Sequence, residues 1–343
     1  MTTRVAFLFP GQGSQAIGMG ADIYATSAAA KRVFEAADEA LGIPLSTLCF
    51  QGPEDTLRET INAQPAIVTV SLAFLAAFQE ALSSEETSSW SSPLIPSYVA
   101  GHSVGEWTAL TVSGALDLRE TLLTVRERGR FMEHEGVLCP GGMAAVIGME
   151  AEPLAEICQE ATEQARANAA SSETSHPGQG RVVVANYNAP GQIVISGERS
   201  ALEIASDLAR ARGAKRVIPL AVSGAFHSPV MLPAASALTK TLADTALQTA
   251  SIPIIGNINA APLTEAGALR AELAQQVASP VQWIRTIEYL TTAGVEVFIE
   301  IGPGQALTGM VKRIAKGKTT ITIGSVGDIE KAVVLIREKS IVG

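Results

Sequence analysis

Aromatic residues are scarce in this chain, 5% of 343 positions, although 47% of the residues are hydrophobic. An interior of that kind rests on Ala, Val, Leu and Ile, which suits helices packed on a mostly parallel sheet. Cysteine is almost missing: Cys49, Cys139 and Cys158 are odd in number, widely spaced, and form no CxxC pair or His/Cys cluster. A disulfide framework and a zinc site are therefore not expected, and a reducing compartment is. Positive charge is in deficit, 25 Lys+Arg against 34 Asp+Glu for a net charge of −9. Without a long basic stripe, nucleic acid is a poor partner. No stretch approaches the roughly 18 apolar residues of a membrane span. The N-terminal apolar run, Val5–Phe9, is too short for a signal-peptide core. Together these absences lead to the expectation of a cytoplasmic protein without a membrane. Its oligomeric state stays open, with a monomer favoured.

What is present falls into two textures. "RVAFLF" (4–9) is a compact apolar run halted by "PGQG", the pattern of a buried strand entering a turn. "SAAAKRVFEAADEALG" (27–42) has helical spacing, with Ser27 as N-cap and Gly42 as stop. "NAQPAIVTVSLAFLAAFQEAL" (62–82) is apolar almost all round, with Pro65 expected in its first turn; such a helix is usually buried. The polar, Ser-rich "SSEETSSWSSP" (83–93) reads as an exposed loop. From Gly141 the order becomes strand, helix, strand, strand, helix, strand, ending in "AKRVIPLAV" (214–222). That is a self-contained α+β unit of ferredoxin-like type. The expected organisation is an α/β core from residues 1–140 and 223–343, with 141–222 inserted as a small subdomain. In the second core half, "IPIIGNIN" (252–259) and "VEVFIEIGPG" (295–304) read as strands.

The chemistry concentrates at "VAGHSVGEW" (99–107), where Ser103 stands between Gly101 and Gly105. G-x-S-x-G alone is a weak signal. Here a short strand precedes it and a helical pattern follows, the context of a nucleophile elbow. The N–H of Val104 would then be an oxyanion donor at the helix N-terminus. The competing reading is a helix-capping serine. A serine nucleophile needs a base, and there are four histidines. His102 adjoins the serine, and at a sharp turn its ring should point away from the hydroxyl. His134 lies in a charged stretch, and His176 in a Ser-rich loop where solvent exposure is expected. Elimination leaves His227, after a glycine turn in "VSGAFHSPVM". Acidic residues between Ser103 and His227 lie mostly in amphipathic helices, so a neutral backbone carbonyl is expected to orient the histidine. "FPGQGSQ" (9–15) places Gln12 between glycines, where its N–H can be a second oxyanion donor; a plain turn is the alternative. Of the three arginines in "VRERGRFM" (125–132), helical geometry allows at most one to face a cleft, where it would grip a carboxylate.

With Phe9–Gln15, Gly101–Trp107, Glu127–Met132 and Gly224–Ser228 in order, the chain closely resembles malonyl-CoA:acyl carrier protein transacylases. "SPVQW" (279–283) and "EIGPGQALTGMVKRI" (300–314) extend the match nearly end to end. The resemblance implies a hydrolase-like core with a ferredoxin-like insert. It implies Ser103 as nucleophile, His227 as base, and the N–H groups of Gln12 and Val104 as oxyanion hole. It makes Arg128 the clamp on the malonyl carboxylate and puts Gln276 where a main-chain carbonyl orients the histidine. His102 carries over as a residue beside the nucleophile, grouped with the substrate-binding positions without a defined role. Phe226 resembles the "AFH" pattern of malonyl-selective enzymes; exclusion of a methyl branch would be worth about 1–3 kcal/mol. Where many relatives have Leu and Tyr, this chain has Val104 and Trp107, both conservative changes.

The implied substrates are malonyl-CoA and phosphopantetheinylated acyl carrier protein, with no metal or other cofactor. Carrier proteins are generally acidic, so docking on this acidic chain should use local basic patches. Two are available: Lys312, Arg313 and Lys316, or Arg212, Lys215 and Arg216. Basic residues in a helix's last turn also favour the macrodipole without any partner. Two other functions fit the same serine motif, a thioesterase or esterase and an inactive module that binds CoA thioesters.

Overall fold

The computed structural model describes residues 3–83, 94–168, 176–339 and 341. The expected loop at 84–93 and the first part of the Ser-rich stretch in the insert, 171–175, lie outside the described residues. Strands, numbered in chain order, make two sheets. The larger uses β1 (Arg4–Phe9), β2 (Tyr98–Gly101), β7 (Ile254–Ile255), β8 (Pro262–Leu263), β9 (Val295–Ile301) and β10 (Thr319–Ile323). Their order is β10-β9-β1-β2-β7-β8, parallel except for the terminal β7–β8 pair. The smaller sheet uses β3 (Gly141–Ile147), β4 (Val182–Ala189), β5 (Gln192–Glu198) and β6 (Arg216–Pro219), all antiparallel in the order β4-β5-β3-β6.

The large sheet is covered on both faces, so its central strand β1 is a continuous apolar run rather than an alternating one. Val5, Phe7 and Phe9 of β1 pack on one side with Ile299 and Ile301 of β9, while Ala6 and Leu8 pack on the other with Phe298. The helix Thr60–Ser83 fills the first side and contacts the helices Ala28–Leu41 and Leu118–Leu138. It corrects two expectations. It begins five residues before Pro65, which lies inside it beyond the first turn. With a mean hydropathy of 1.6 over 18 residues, it is also long and apolar enough by composition to cross a membrane. In this fold 67% of that window is buried, as expected for a core helix apolar on every face.

Local signals set the boundaries where they were strongest. The Ser27 hydroxyl accepts from the Ala30 N–H at 3.0 Å, and Gly42 closes the same helix at φ 63°. Elsewhere the sequence expectation was too long: β7 holds two residues of the eight in "IPIIGNIN", and β6 stops at Pro219. Strand β10 and the helix Val326–Glu338 after it carried no distinct signal, since "TTITI" is short and half polar.

The small sheet is backed by the helices Ala151–Asn168 and Arg199–Ala211 around a separate apolar cluster that includes Val146, Leu154, Ile157 and Ile195. One strand ties it to the core. The Val281 N–H donates to the Ala185 carbonyl at 2.8 Å, and the Tyr187 N–H donates to the Val281 carbonyl at 2.9 Å. Arg313, on the helix Ala306–Ile314, donates to Gln192 Oε1 at 2.7 Å and to the Pro190 carbonyl at the β4–β5 turn. His176 corrects another expectation. It is largely buried, 3.0 Å from Glu135 Oε2, and so joins the insert to the helix Leu118–Leu138.

Candidate active site

Strand β2 ends at Gly101, and the helix Gly105–Val112 starts four residues later. Ser103, at φ 52°, makes the turn. No side chain fits at either flanking glycine: a Cβ on Gly101 would lie 1.9 Å from the Gly105 carbonyl carbon, and one on Gly105 2.2 Å from the Phe9 oxygen. Asn257, just beyond β7, holds the turn from both sides. Its Nδ2 donates to the Gly101 carbonyl and its Oδ1 accepts from the Ser103 N–H, both at 2.7 Å.

His227 also has left-handed backbone, φ 57°, and its Nε2 lies 2.7 Å from Ser103 Oγ. Its Nδ1 faces the main-chain carbonyls of Gln276 at 2.9 Å and Ser279 at 3.0 Å. Carbonyls only accept, so Nδ1 carries the proton and Nε2 is free to take the serine's. Burial, reinforced by the Arg128 charge, pulls the imidazole down from 6.5 to about 3. The histidine is therefore a neutral base at any ordinary pH.

Of the three arginines, Arg128 alone turns inward and is 1% exposed. Arg126 donates to the Leu41 carbonyl, and the exposed Arg130 pairs with Glu127. Arg128 Nη1 donates to Gln64 Oε1 at 2.6 Å, and Nη2 donates to Gln276 Oε1 at 2.9 Å and Ser103 Oγ at 3.1 Å. All three acceptors are neutral, and Nε finds no partner among the described residues. Burial lowers the guanidinium to about 9, still protonated at neutral pH. A buried cation without a carboxylate is costly unless a ligand supplies one.

The N–H groups of Val104 and Gln12 have no acceptor among the described residues. Gln12 lines a cavity of about 370 Å³ that also contains Ser103, His227 and Phe226. The Gln12 side chain is held by Thr60 and Gln64. His102 is held through its ring by neighbours other than the serine hydroxyl. Its Nε2 lies 2.8 Å from Asn188 Oδ1, and its ring packs near Trp283. A larger cavity of about 580 Å³ lies between β4 and the helix Ala151–Asn168, and none of these reacting groups lines it.

Gln64, Glu106, Asn186, Asn188 and Asn257 belong to the site or its support but had no place in the sequence reading. Gln64 had one usable signal, an amide in an otherwise apolar helical run. The basic candidates separate as well. Arg313 is committed to the β4–β5 turn and Arg212 to Glu160 at 2.5 Å, whereas Lys312 and Lys316 are exposed. The helix carrying Lys312 also lends Leu307 and Met310 to the cavity.

A serine elbow, a neutral histidine and free backbone donors on a mostly parallel sheet define a serine acyl-transfer site. The chain belongs to the acyl transferase domain family, whose model matches residues 6–337. It is 42% identical over 338 residues to the malonyl CoA-acyl carrier protein transacylase of Bacillus subtilis, covering 98% of this chain and 99% of that one. Its fold is similar to that of the malonyl CoA-acyl carrier protein transacylase from Coxiella burnetii, with TM-score 0.87, 32% identity, and 97% and 98% of the two chains covered. It is likewise similar to a malonyl-transacylase solved in complex with a type II PKS acyl-carrier protein, at TM-score 0.86 and 34% identity over 97% and 100% of the chains.

Proposed function

We propose that this chain moves a malonyl group from malonyl-CoA to the phosphopantetheine thiol of an acyl carrier protein through a malonyl-Ser103 intermediate. The observation that carries this reading is Arg128: a buried guanidinium 3.1 Å from the nucleophile, held only by neutral acceptors. A dicarboxylic half-thioester supplies the missing anion, and an acetyl group does not.

In the first half-reaction Ser103 Oγ attacks the thioester carbon and His227 Nε2 takes the hydroxyl proton. The Gln276 and Ser279 carbonyls stabilise the resulting imidazolium through Nδ1–H. The Val104 and Gln12 N–H groups receive the oxyanion, and coenzyme A departs with the proton from His227. In the second half-reaction the carrier's thiol gives its proton to His227 and attacks the acyl-serine; the acyl–oxygen bond breaks and His227 returns the proton to the departing Ser103 Oγ. Each step uses side chains and backbone alone. Phe226, buried on the cavity wall, disfavours a methyl branch on the malonyl α-carbon. The carrier docks beside the mouth at Lys312 and Lys316, and both substrates place the enzyme in the cytoplasm.

Intact mass after incubation with malonyl-CoA tests the intermediate. The expected result is one malonyl adduct, absent in Ser103→Ala and discharged only when carrier protein is added. Rapid discharge into water without carrier would identify a thioesterase instead, and no adduct at all a binding module.

A further inference from the structure

Gln276 touches three of the site's groups, Ser103, Arg128 and His227. Its main-chain oxygen holds His227, while its side chain serves a separate purpose. Side-chain Oε1 accepts from Arg128 Nη2 at 2.9 Å, and Nε2 donates to the Ser103 carbonyl at 3.0 Å and to Glu106 Oε2. Arginine can only donate and a carbonyl can only accept, so the amide has one possible orientation. Glu106 is 1% exposed, on the first turn of the helix that follows the nucleophile. It accepts from the Gln276 amide and from the Asn257 N–H. Asn257 in turn clamps the elbow. The chain of contacts runs from acid to amide to guanidinium, and both ends adjoin Ser103.

We infer that Glu106 and the Gln276 side chain are positioning residues that set Arg128 for the substrate's carboxylate and thereby determine acyl selectivity. The inference rests on the malonyl reading above. An acid directly on Arg128 would neutralise it, and the substrate would then have to displace that acid. The interposed amide fixes the guanidinium's position and leaves its charge for the ligand. Burial, reinforced by the neighbouring Glu272, pushes the Glu106 carboxyl well above the usual carboxylate range, while the Gln276 amide and Arg128 pull it back. Gln64 holds the opposite arm of the fork with another neutral amide oxygen, so the guanidinium is braced from two sides.

Two variants test this in the full chain, with malonyl-CoA and acetyl-CoA as alternative donors. Gln276→Met keeps the main-chain carbonyl on His227 and removes the amide. Glu106→Gln keeps the volume but offers one acceptor oxygen where Gln276 and Asn257 each need one. In both, kcat/KM for malonyl transfer is expected to fall about 10- to 100-fold, the loss of a charge-assisted contact. Acetyl transfer needs no carboxylate clamp and should fall far less, so the malonyl-to-acetyl preference drops while the remaining acetyl rate reports on the elbow and base. A parallel fall in both donors would assign these residues a purely structural role and overturn the inference, as would no change in either. A parent protein that does not prefer malonyl over acetyl would instead overturn the functional reading beneath it.

Discussion

The two sheets divide the labour unequally. Every group proposed for bond making or breaking, Gln12, Ser103, Val104, Arg128 and His227, comes from the core built on the parallel sheet. The antiparallel insert gives the cavity no titratable side chain; it contributes Met143, Asn186, Asn188, Val194, Leu220 and Val222. Parallel strands end together at one edge, so β1 and β2 deliver Gln12 and Ser103 to neighbouring turns. The insert closes that edge and shapes it. Chemistry and the grip on the acyl group belong to the core, and the insert supplies the facing wall of the cavity.

Four measurements break or sharpen that division, from the largest effect to the smallest. Arg128→Ala should lower malonyl transfer by about 100- to 1000-fold, because the proposed cation for the substrate carboxylate is removed. Acetyl transfer should be comparatively spared, and equal losses would remove the selectivity role from the core. The pH profile comes next. A base lowered to about 3 gives kcat/KM no inflection near 6.5, the ordinary histidine value. Stability should decline as pH drops from 6.5 towards about 3, since the unfolded chain binds a proton there that the folded chain refuses. A rate profile with a midpoint at 6.5 would show a solvated histidine.

Asn188→Ala tests the insert. It removes the contact to His102, and KM for malonyl-CoA should rise about tenfold with kcat nearly constant. A collapse of kcat would place part of the chemistry in the insert. Charge reversal at Lys312 and Lys316 should have the smallest effect, raising KM for carrier protein about two- to fivefold at low salt and less at high salt. An unchanged KM would move docking elsewhere, with Lys215 and Arg216 next in line.

The groups proposed as catalytic were legible because their signals are local. A serine between two glycines after a strand, and a histidine after a glycine turn, each announce a conformation as well as a chemistry. The supporting shell was not, because it is assembled from distant segments. Asn257 reaches the elbow across 154 residues of sequence, Gln64 reaches Arg128 across 64, and Asn188 reaches His102 across 86. Single-chain pattern has no term for such pairings. Glu106 gave no distinct signal, because an acid in a helix's first turn ordinarily complements the dipole at the surface, and here it is buried. Arg313 did mislead, since a basic residue in a last turn looks available and here bridges to the insert.

The positive φ angles at Ser103 and His227 restrict which amino acids evolution or an engineer can try there. A threonine in place of the serine would keep the hydroxyl but bring a branched Cβ into a backbone region that branched residues strongly avoid. Cysteine carries no such branch. The route from oxygen to sulfur chemistry at this position is sterically open, while the route to the secondary alcohol is closed by the main chain itself.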